Sequence, residues 1–482
     1  MYKKTLKYKK SAFGLIFKKK EEKVMSTQTI AAIGTALSNS GISIIRISGN
    51  KSLEIINKIF KTNSKIKPNT IVYGKLYDGD IHLDNVLVSY FKAPKSFTGE
   101  DICEINCHGG TNITKEILEV VLKNGARLAE PGEFSKRAFL NGKMDLSQAE
   151  AVINLINAKT STATRVAASQ LDGNVSSRIK ELREDLVELL AHIEVSIDYP
   201  EYDYEEVEND NVVKLLDKKI DEINNLLETY EHGRYIKDGI NVAILGKPNV
   251  GKSSLLNKLA DYEKAIVTDI PGTTRDIVEE TINIGSVILN ISDTAGIRDT
   301  EDIVEKIGVE KSIKKLDEVD LVIYILSADE NIKKTDIEML SKIQNKGVKL
   351  ITVINKMDKI EKSIFDTILN ELNKIDVKNL IQMSVAKNEG VETLKKEIEK
   401  MFLNSDFDYE QELVITNARH KDLLRKSIDY LRLAKNEIDL NNPIDIISIY
   451  IKKATSTLGE IIGTDVNIDV ANKIFEKFCL GK

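Results

Sequence analysis

Cysteine is scarce: the 482-residue chain has three, at positions 103, 107 and 479. So few thiols exclude a disulfide framework and point to a reducing cytosol. Cys103 and Cys107 sit near His108, which raises zinc, but a structural zinc site takes four well-spaced ligands and that reading is set aside. Long hydrophobic runs are absent too. Nothing approaches the roughly 20 apolar residues of a spanning helix, so no stable membrane insertion is expected. Nor is there an excess of one charge. Lys plus Arg number 69 against 75 Asp plus Glu, a net charge of −6. That balance argues against broad, sequence-blind nucleic-acid binding and leaves room for RNA on a local basic patch. With 30% charged and 42% apolar residues, the composition is that of an ordinary soluble protein. The length suits about three domains of roughly 150 residues.

Residues 1–24 form a basic N-terminal extension, Lys-rich around the short apolar core SAFGLIF. It can lie on an anionic membrane surface, but it lacks a small-residue cleavage site. The plainer reading is a disordered tail, or an early start codon ahead of Met25. Residues 25–143 mix strands such as GISIIRIS and NVLVSYF with the helix TKEILEVVLKNGA, which ends at Gly125. They predict a compact α/β domain. At 144 the texture changes. Asp145 and Gln148 make a capping-box pattern, and one long helical periodicity runs to about Tyr199. In it, Ile179, Leu182, Leu186, Leu189 and Ile193 recur at spacings of three and four. A second helix follows, VVKLLDKKIDEINNLLETY, and this first helical part closes at residue 236. Residues 237–402 alternate strand and helix, with INVAILG, LVIYIL and KLITVINK as buried strands of a mainly parallel sheet. Residues 403–482 are helical again. The stripes of 144–236 and 403–482 predict one discontinuous helical domain, with the α/β block inserted into it.

GKPNVGKSS follows the strand INVAILG and precedes a helix. It fits the phosphate-loop template at Gly246, Gly251, Lys252 and Ser253. Backbone N–H groups and the helix N-terminus face phosphates in such a loop. Lys252 reaches the β and γ phosphates, and the Ser253 hydroxyl binds Mg²⁺. One such match occurs by chance; three more, in order, remove the ambiguity. NKMD ends a strand at Asn355, Lys356, Met357 and Asp358. A carboxylate at 358 accepts from guanine N1–H and the exocyclic amine together, a donor pair adenine lacks. DTAG supplies Asp293, Thr294, Ala295 and Gly296, near Mg²⁺ and the γ phosphate. TDIPGTT supplies Thr268, Asp269, Ile270, Pro271, Gly272, Thr273 and Thr274, the last as the second Mg²⁺ ligand. The final base-contacting loop is degenerate, SVAK, with Ser384, Val385 and Ala386; the Val385 N–H is expected on the guanine oxygen. Asn249, Val250 and Ser254 complete the expected GTP contacts. Ile297 stands where Ras-type GTPases hold water with a glutamine. Some other group must therefore orient water and offset the charge between the phosphates. An arginine finger, with Arg275 or Arg298, and a bound monovalent cation are both open.

Three further stretches are distinctive: FTGEDICEINCHGG (97–110), PGEFSKRAFLNGKMDLSQAEA (131–151) and the terminal FCLGK (478–482). They closely resemble the MnmE (TrmE) family of tRNA modification GTPases, over about residues 28–482. The resemblance implies an N-terminal folate-binding-like α/β dimerisation domain, a discontinuous helical domain and an inserted GTPase domain. It implies a cytoplasmic homodimer that works with an FAD-containing partner, MnmG, as a heterotetramer. Together they would modify C5 of the wobble uridine in certain tRNAs, leaving a carboxymethylaminomethyl or aminomethyl-type group. A 5-formyl- or methylene-tetrahydrofolate would supply the one-carbon unit, and glycine or ammonium the amine. Family folate contacts map onto Arg46, Glu104, Lys143 and Lys482. The family's potassium cage maps onto Asn249, Thr268, Ile270 and Thr273, and its water-orienting carboxylate onto Glu305, with Lys252 as the other catalytic group. Cys479 is either a lysine-activated nucleophile or, as preferred, a small packed residue. Two alternatives stay open: a regulatory GTPase of ribosome assembly without covalent RNA chemistry, and a membrane-surface GTPase using residues 1–24.

Overall fold

A computed structural model describes residues 28–198, 208–262, 278–292, 319–403, 412–466, 468–479 and 481. Chain contacts divide it into two units. The first comprises residues up to Ile153, Ser176–Asp185 and Thr455 onward; the second comprises Asn154–Val175 and Leu186–Ala454.

The first unit is built on a seven-stranded sheet. In chain order its strands are β1 (Ile30–Ile33), β2 (Ser40–Ser48), β3 (Phe60–Lys61), β4 (Thr70–Asp78), β5 (Ile81–Phe91), β6 (Ile102–Gly109) and β7 (Arg127–Leu128). Their spatial order is β3-β4-β5-β6-β2-β1-β7, antiparallel except for β1 with β7. Period-two alternation explains the packing. Ile45, Ile47, Cys103, Ile105 and Val88 face one way, into a core shared with Ile55 and Ile56 of α1 (Ser52–Ile59) and Ile117 and Val121 of α2 (Thr111–Lys123). Arg46, Glu104 and Leu87 therefore point to the other face. The short helix α3 (Glu133–Leu140) carries a buried charge network. Glu133 accepts from Arg127 at 2.6 Å and Arg137 at 2.9 Å, and Arg137 reaches Glu100 at 2.9 Å. Burial alone would raise the Glu133 pKa, but Arg127, the Glu130 N–H and Arg137 hold it below the ordinary carboxylate range.

The helical segment after 144 departs from the single periodicity predicted for it. It breaks into α4 (Leu146–Asn157), α5 (Ser161–Leu171) and α6 (Asn174–Asp198). The expected capping box is present: the Asp145 N–H donates to Gln148 Oε1 and the Gln148 N–H to Asp145 Oδ1, both at 3.0 Å. The breaks have local causes. Thr160 caps α5 by accepting from the Ala163 N–H at 3.1 Å, and Gly173, at φ +94°, permits the turn into α6. The stripe Ile179, Leu182, Leu186, Leu189 and Ile193 is buried, as its spacing predicts.

In the second unit, α7 (Asn209–Asp238) leads directly into the α/β block. That block has strands β8 (Ile240–Gly246), β9 (Val278–Ile284), β10 (Val287–Ser292), β11 (Leu321–Ser327), β12 (Lys349–Asn355) and β13 (Leu380–Gln382). The order is β13-β12-β11-β8-β10-β9, parallel except for the β9–β10 hairpin at one edge, which the sequence reading did not identify. One face of the sheet packs on α8 (Lys252–Tyr262) and α11 (Val391–Phe402), through Leu255, Leu259, Leu394 and Ile398. The other packs on α9 (Lys334–Asn345) and α10 (Lys362–Lys374), through Leu340, Ile343, Ile368 and Leu372. Such two-sided cover is what a parallel sheet requires. The return segment leads into α12 (Ala418–Asp439) and α13 (Ile444–Ile462), and a last helix, α14 (Ile468–Phe475), belongs to the first unit.

The last turns of α7 clamp the base of the inserted sheet. Arg234 meets Asp320 at 2.7 Å, and Asp320 also accepts from the Asn241 N–H at 2.9 Å. Tyr235 stacks edge-on against Phe402 at 4.8 Å, and His232 Nδ1 donates to the Phe402 carbonyl at 2.8 Å. Gly233 is required for close approach, because a Cβ there would stand 2.3 Å from the Ile415 carbonyl oxygen. Entry and exit of the insertion are thus tied to one helix end. Arg234→Ala should lower unfolding free energy by about 1–3 kcal/mol, since it strands a half-buried carboxylate. Lys374→Ala, which breaks an exposed pair with Glu371, should stay within about 0.5 kcal/mol. Urea unfolding followed by circular dichroism separates the two; equal effects would contradict the clamp.

Candidate guanine-nucleotide site

β8 ends at Gly246 and α8 begins at Lys252, so the loop 247–251 lies at the carboxyl end of the central strand. That is where an open α/β sheet binds its ligand. Two backbone conformations shape the loop. Gly251, at φ +102°, has no room for a Cβ, which would meet Asn355 Nδ2 at 2.3 Å. Asn249 is itself left-handed, at φ 62°, and exposed. The Lys252 ammonium donates back to the carbonyls of Gly246 at 2.8 Å and Lys247 at 2.5 Å. Burial pushes its pKa down from the ordinary lysine value. Ser253 and Ser254 are exposed on the first turn of α8. The orphan N–H groups of that turn suit anionic phosphate oxygens.

The base side is assembled around Asn355, at the end of β12 and 3% exposed. Its Nδ2 donates to the Val250 carbonyl at 2.8 Å, and its Oδ1 accepts from the Val385 N–H at 3.1 Å. Asn355 therefore ties the phosphate loop to the SVAK loop, with both ends of its carboxamide engaged by backbone. This corrects the expected role of Val385. Its N–H is taken by Asn355, and Val385 is buried, so the exposed Ala386 presents the next N–H at the loop tip. The SVAK loop is closed by paired backbone bonds between Ser384 and Glu389, at 3.1 and 3.0 Å. Asp358 accepts from the Ser384 hydroxyl at 2.5 Å. That bond, first among its neighbours, holds the Asp358 pKa below the ordinary carboxylate value. An ionised carboxylate held this way is the acceptor a guanine edge needs. Met357 lies in a short 3-10 turn with Asp358, and Lys356 precedes it at φ 63°. Sequence reasoning missed Asp329, which pairs with Lys356 at 3.2 Å, and Asp336, which pairs with Lys247 at 2.5 Å. Their only sequence signal is an acidic residue shortly after a buried strand.

Thr268, Asp269, Ile270, Pro271, Gly272, Thr273 and Thr274 lie outside the described residues, as do Asp293, Thr294, Ala295, Gly296, Glu305 and Lys482.

In the first unit, Arg46 and Glu104 are register partners on β2 and β6, joined by an ion pair at 2.8 Å. Arg46 also donates to the Gly481 carbonyl at 3.4 Å and lies over the rings of Phe97 and Phe134, at 5.6 and 5.7 Å. Gly481 is seated closely there, since a Cβ would stand 2.2 Å from the Ile33 carbonyl oxygen. The C-terminal segment thus meets Arg46, the partner of Glu104. Lys143 does not join them: its stem passes Gly99 and its ammonium donates to the Pro94 carbonyl at 3.2 Å. Cys479 is exposed, contrary to the packed role preferred from sequence. Cys103 and Cys107 are buried on the core face of β6, and burial pushes the Cys103 thiol up to about 12. His108 points the opposite way and pairs with Asp84 at 2.6 Å. Among the described residues no three His, Cys, Asp or Glu side chains converge as a metal site, and no helix is long and apolar enough to cross a membrane.

A phosphate loop opening a helix, tied through a buried asparagine to a loop whose Ser384 donates to Asp358, has the make-up of the P-loop GTPase class. The particular family follows from comparison with known proteins. The family model of the GTP-binding protein TrmE N-terminus matches residues 29–143, and that of the MnmE helical domain matches residues 146–479. A tRNA modification GTPase MnmE from Acetivibrio thermocellus is 48% identical over 459 residues, covering 94% of this chain and 99% of that protein. One from Caldicellulosiruptor saccharolyticus is 46% identical over 463 residues, covering 95% and 100%. One from Clostridioides difficile is 45% identical over 459 residues, covering 94% and 99%. The chain belongs to the MnmE family of tRNA modification GTPases.

Asp358→Asn exchanges a pair of acceptor oxygens for an amide that donates on one side. GTP affinity should fall by roughly 100-fold or more, with xanthosine triphosphate preferred over GTP. Titration with fluorescent nucleotides measures this, and retained preference for GTP would remove Asp358 from base recognition.

Proposed function

We propose that this chain is a potassium-activated GTPase whose nucleotide cycle drives modification of C5 of the wobble uridine in certain tRNAs. It would act with an FAD-containing partner of the MnmG type, leaving a carboxymethylaminomethyl or aminomethyl-type group. The observation that carries this reading is the combination in one chain of two features. One is a guanine-selective phosphate-loop domain; the other is an N-terminal sheet that presents Arg46 and Glu104 beside the C-terminal Gly481. GTP cleavage does not itself alter a base. Its role here is to open and close the protein around the chemistry.

The donor sets fit the implied groups. The Ser253 hydroxyl, beside Lys252 at the helix start, suits Mg²⁺, with Thr274 as its second protein ligand. For potassium, Asn249 offers an exposed side-chain oxygen on a left-handed loop residue; Thr268, Ile270 and Thr273 would supply the rest. A large monovalent cation takes such neutral oxygens and offsets charge between the phosphates. A carboxylate and a guanidinium side by side suit a pterin that carries amide-like donors and a glutamate tail. Glu104 would hold the ring, and Arg46 and Lys482 the tail; Lys143, whose ammonium donates to the Pro94 carbonyl, would have to swing away from it to join them. Tetrahydrofolate, as its 5-formyl or methylene form, would supply the one-carbon unit.

Homodimerisation of the first unit is supported by its outer sheet face. Tyr73, Leu87, Asn106 and Ile44 line up across four strands, and Ile42, Ile71 and Tyr73 are each at least 60% exposed. An apolar sheet face of that kind calls for cover. We place the homodimer in the cytoplasm.

Glu305→Ala should leave GTP affinity within about threefold and lower turnover roughly 100-fold, as removal of a water-orienting base does. Unchanged turnover takes Glu305 out of the mechanism. Asn249→Ala should make turnover insensitive to replacing K⁺ by Na⁺; an intact potassium response refutes the cage.

A further inference from the structure

Two carboxylates outside every nucleotide motif hold lysines inside them. Both lie on the segment Ser327–Asp336, which leaves the carboxyl end of β11 beside the phosphate loop. The segment is anchored at its start, where the Ala328 N–H donates to the Asn355 carbonyl at 2.9 Å. Asp329 then accepts from the Lys356 ammonium at 3.2 and 3.4 Å, and from the Ser327 hydroxyl. Lys356 has left-handed backbone angles, φ 63° and ψ 35°. A non-glycine residue holds that conformation only where its surroundings enforce it. At the far end, Asp336 is 1% exposed. It accepts from the Lys247 ammonium at 2.5 Å, the Tyr324 hydroxyl at 2.9 Å and the Lys333 N–H at 2.8 Å. Lys247 is the second residue of the phosphate loop, and the Lys252 ammonium rests on its carbonyl.

A purely structural role would be an ordinary loop staple. The choice of partners says more. Lys356 belongs to the turn that carries Asp358, and Lys247 to the loop that faces the phosphates, so the two pairs bracket the nucleotide. A buried carboxylate with three donors fixes its partner more rigidly than a surface pair does. We propose that Ser327–Asp336 is a positioning brace that sets how long a guanine nucleotide stays bound. Asp329 fixes the base-reading turn through Lys356, and Asp336 fixes the outer arm of the phosphate loop through Lys247. Both are positioning residues, and they govern retention of the nucleotide and not its cleavage. The brace rests only on the GTPase identity, so its failure would leave the tRNA modification reading intact.

Stopped-flow release of a fluorescent GDP from the full-length protein tests it, alongside turnover at saturating GTP. Asp329→Ala should speed release by roughly threefold to fivefold, the scale of a partly exposed ion pair. Asp336→Asn should speed it by roughly tenfold, since a buried charge-assisted bond is weakened. In both, kcat should stay unchanged. Asp329→Ala combined with Lys356→Ala should release no faster than Lys356→Ala alone, because the two act as one unit. Unchanged release in Asp329→Ala, a lowered kcat, or additive effects in the double variant would each overturn the proposal. Asp329 is partly exposed, so its variants decide the matter even if Asp336→Asn folds poorly.

Discussion

Asn355 donates to the Val250 carbonyl and accepts from the Val385 N–H in surroundings that leave it 3% exposed. Two loops from opposite ends of the inserted block, 105 and 30 residues away in sequence, are thereby fixed against a single carboxamide. Asparagine is suited to this because one side chain offers both a donor and an acceptor. Aspartate would meet the Val250 carbonyl with like charge, and an apolar residue would leave buried backbone groups without partners. The phosphate loop at the start of α8 and the turn that carries Asp358 are otherwise separate stretches of the chain. The shared asparagine makes the distance between them a fixed property of the fold.

The remaining parts of the site are held by neighbours in the same manner. The Ser384 hydroxyl donates to Asp358 and orients it, and closure of the SVAK loop on Glu389 keeps Ser384 in place. Arg234, Tyr235 and His232 grip the opposite end of the sheet, at its base. The inserted block is therefore anchored at its base while its nucleotide loops stand at the carboxyl ends of the strands. A conformational cycle needs a rigid base of this kind if a change at the phosphates is to be felt elsewhere. In the first unit the chain of Arg127, Glu133, Arg137 and Glu100 does similar work. It fixes the loop that sets Phe97 beneath Arg46.

Much of this was legible in the sequence wherever the controlling interaction is short-range. The stripe from Ile179 to Ile193 follows from helical periodicity, the Asp145–Gln148 box from a three-residue spacing, and the buried strands β8, β11 and β12 from their apolar runs. What periodicity hides is a local exception or a distant partner. The breaks at Thr160 and Gly173 fall before that stripe, where a capping threonine begins a helix and a left-handed glycine ends it without any change in the stripe itself. The β9–β10 hairpin is short and lies at a sheet edge. Asp329, Asp336 and the engagement of Val385 by Asn355 depend on strand register, which brings together residues tens of positions apart. Arg46 and Glu104 became a pair in the same way, since only the β2–β6 register sets them opposite each other.

The central claim is that a guanine-nucleotide cycle in this chain is needed for chemistry on the wobble uridine. Mass spectrometry of wobble nucleosides tests it most directly, in a strain lacking the chain and complemented with either the native protein or Lys252→Ala. The account predicts C5-modified uridine with the native protein, and unmodified or partly processed uridine with Lys252→Ala and with no complement. Full modification in the strain lacking the chain would contradict it.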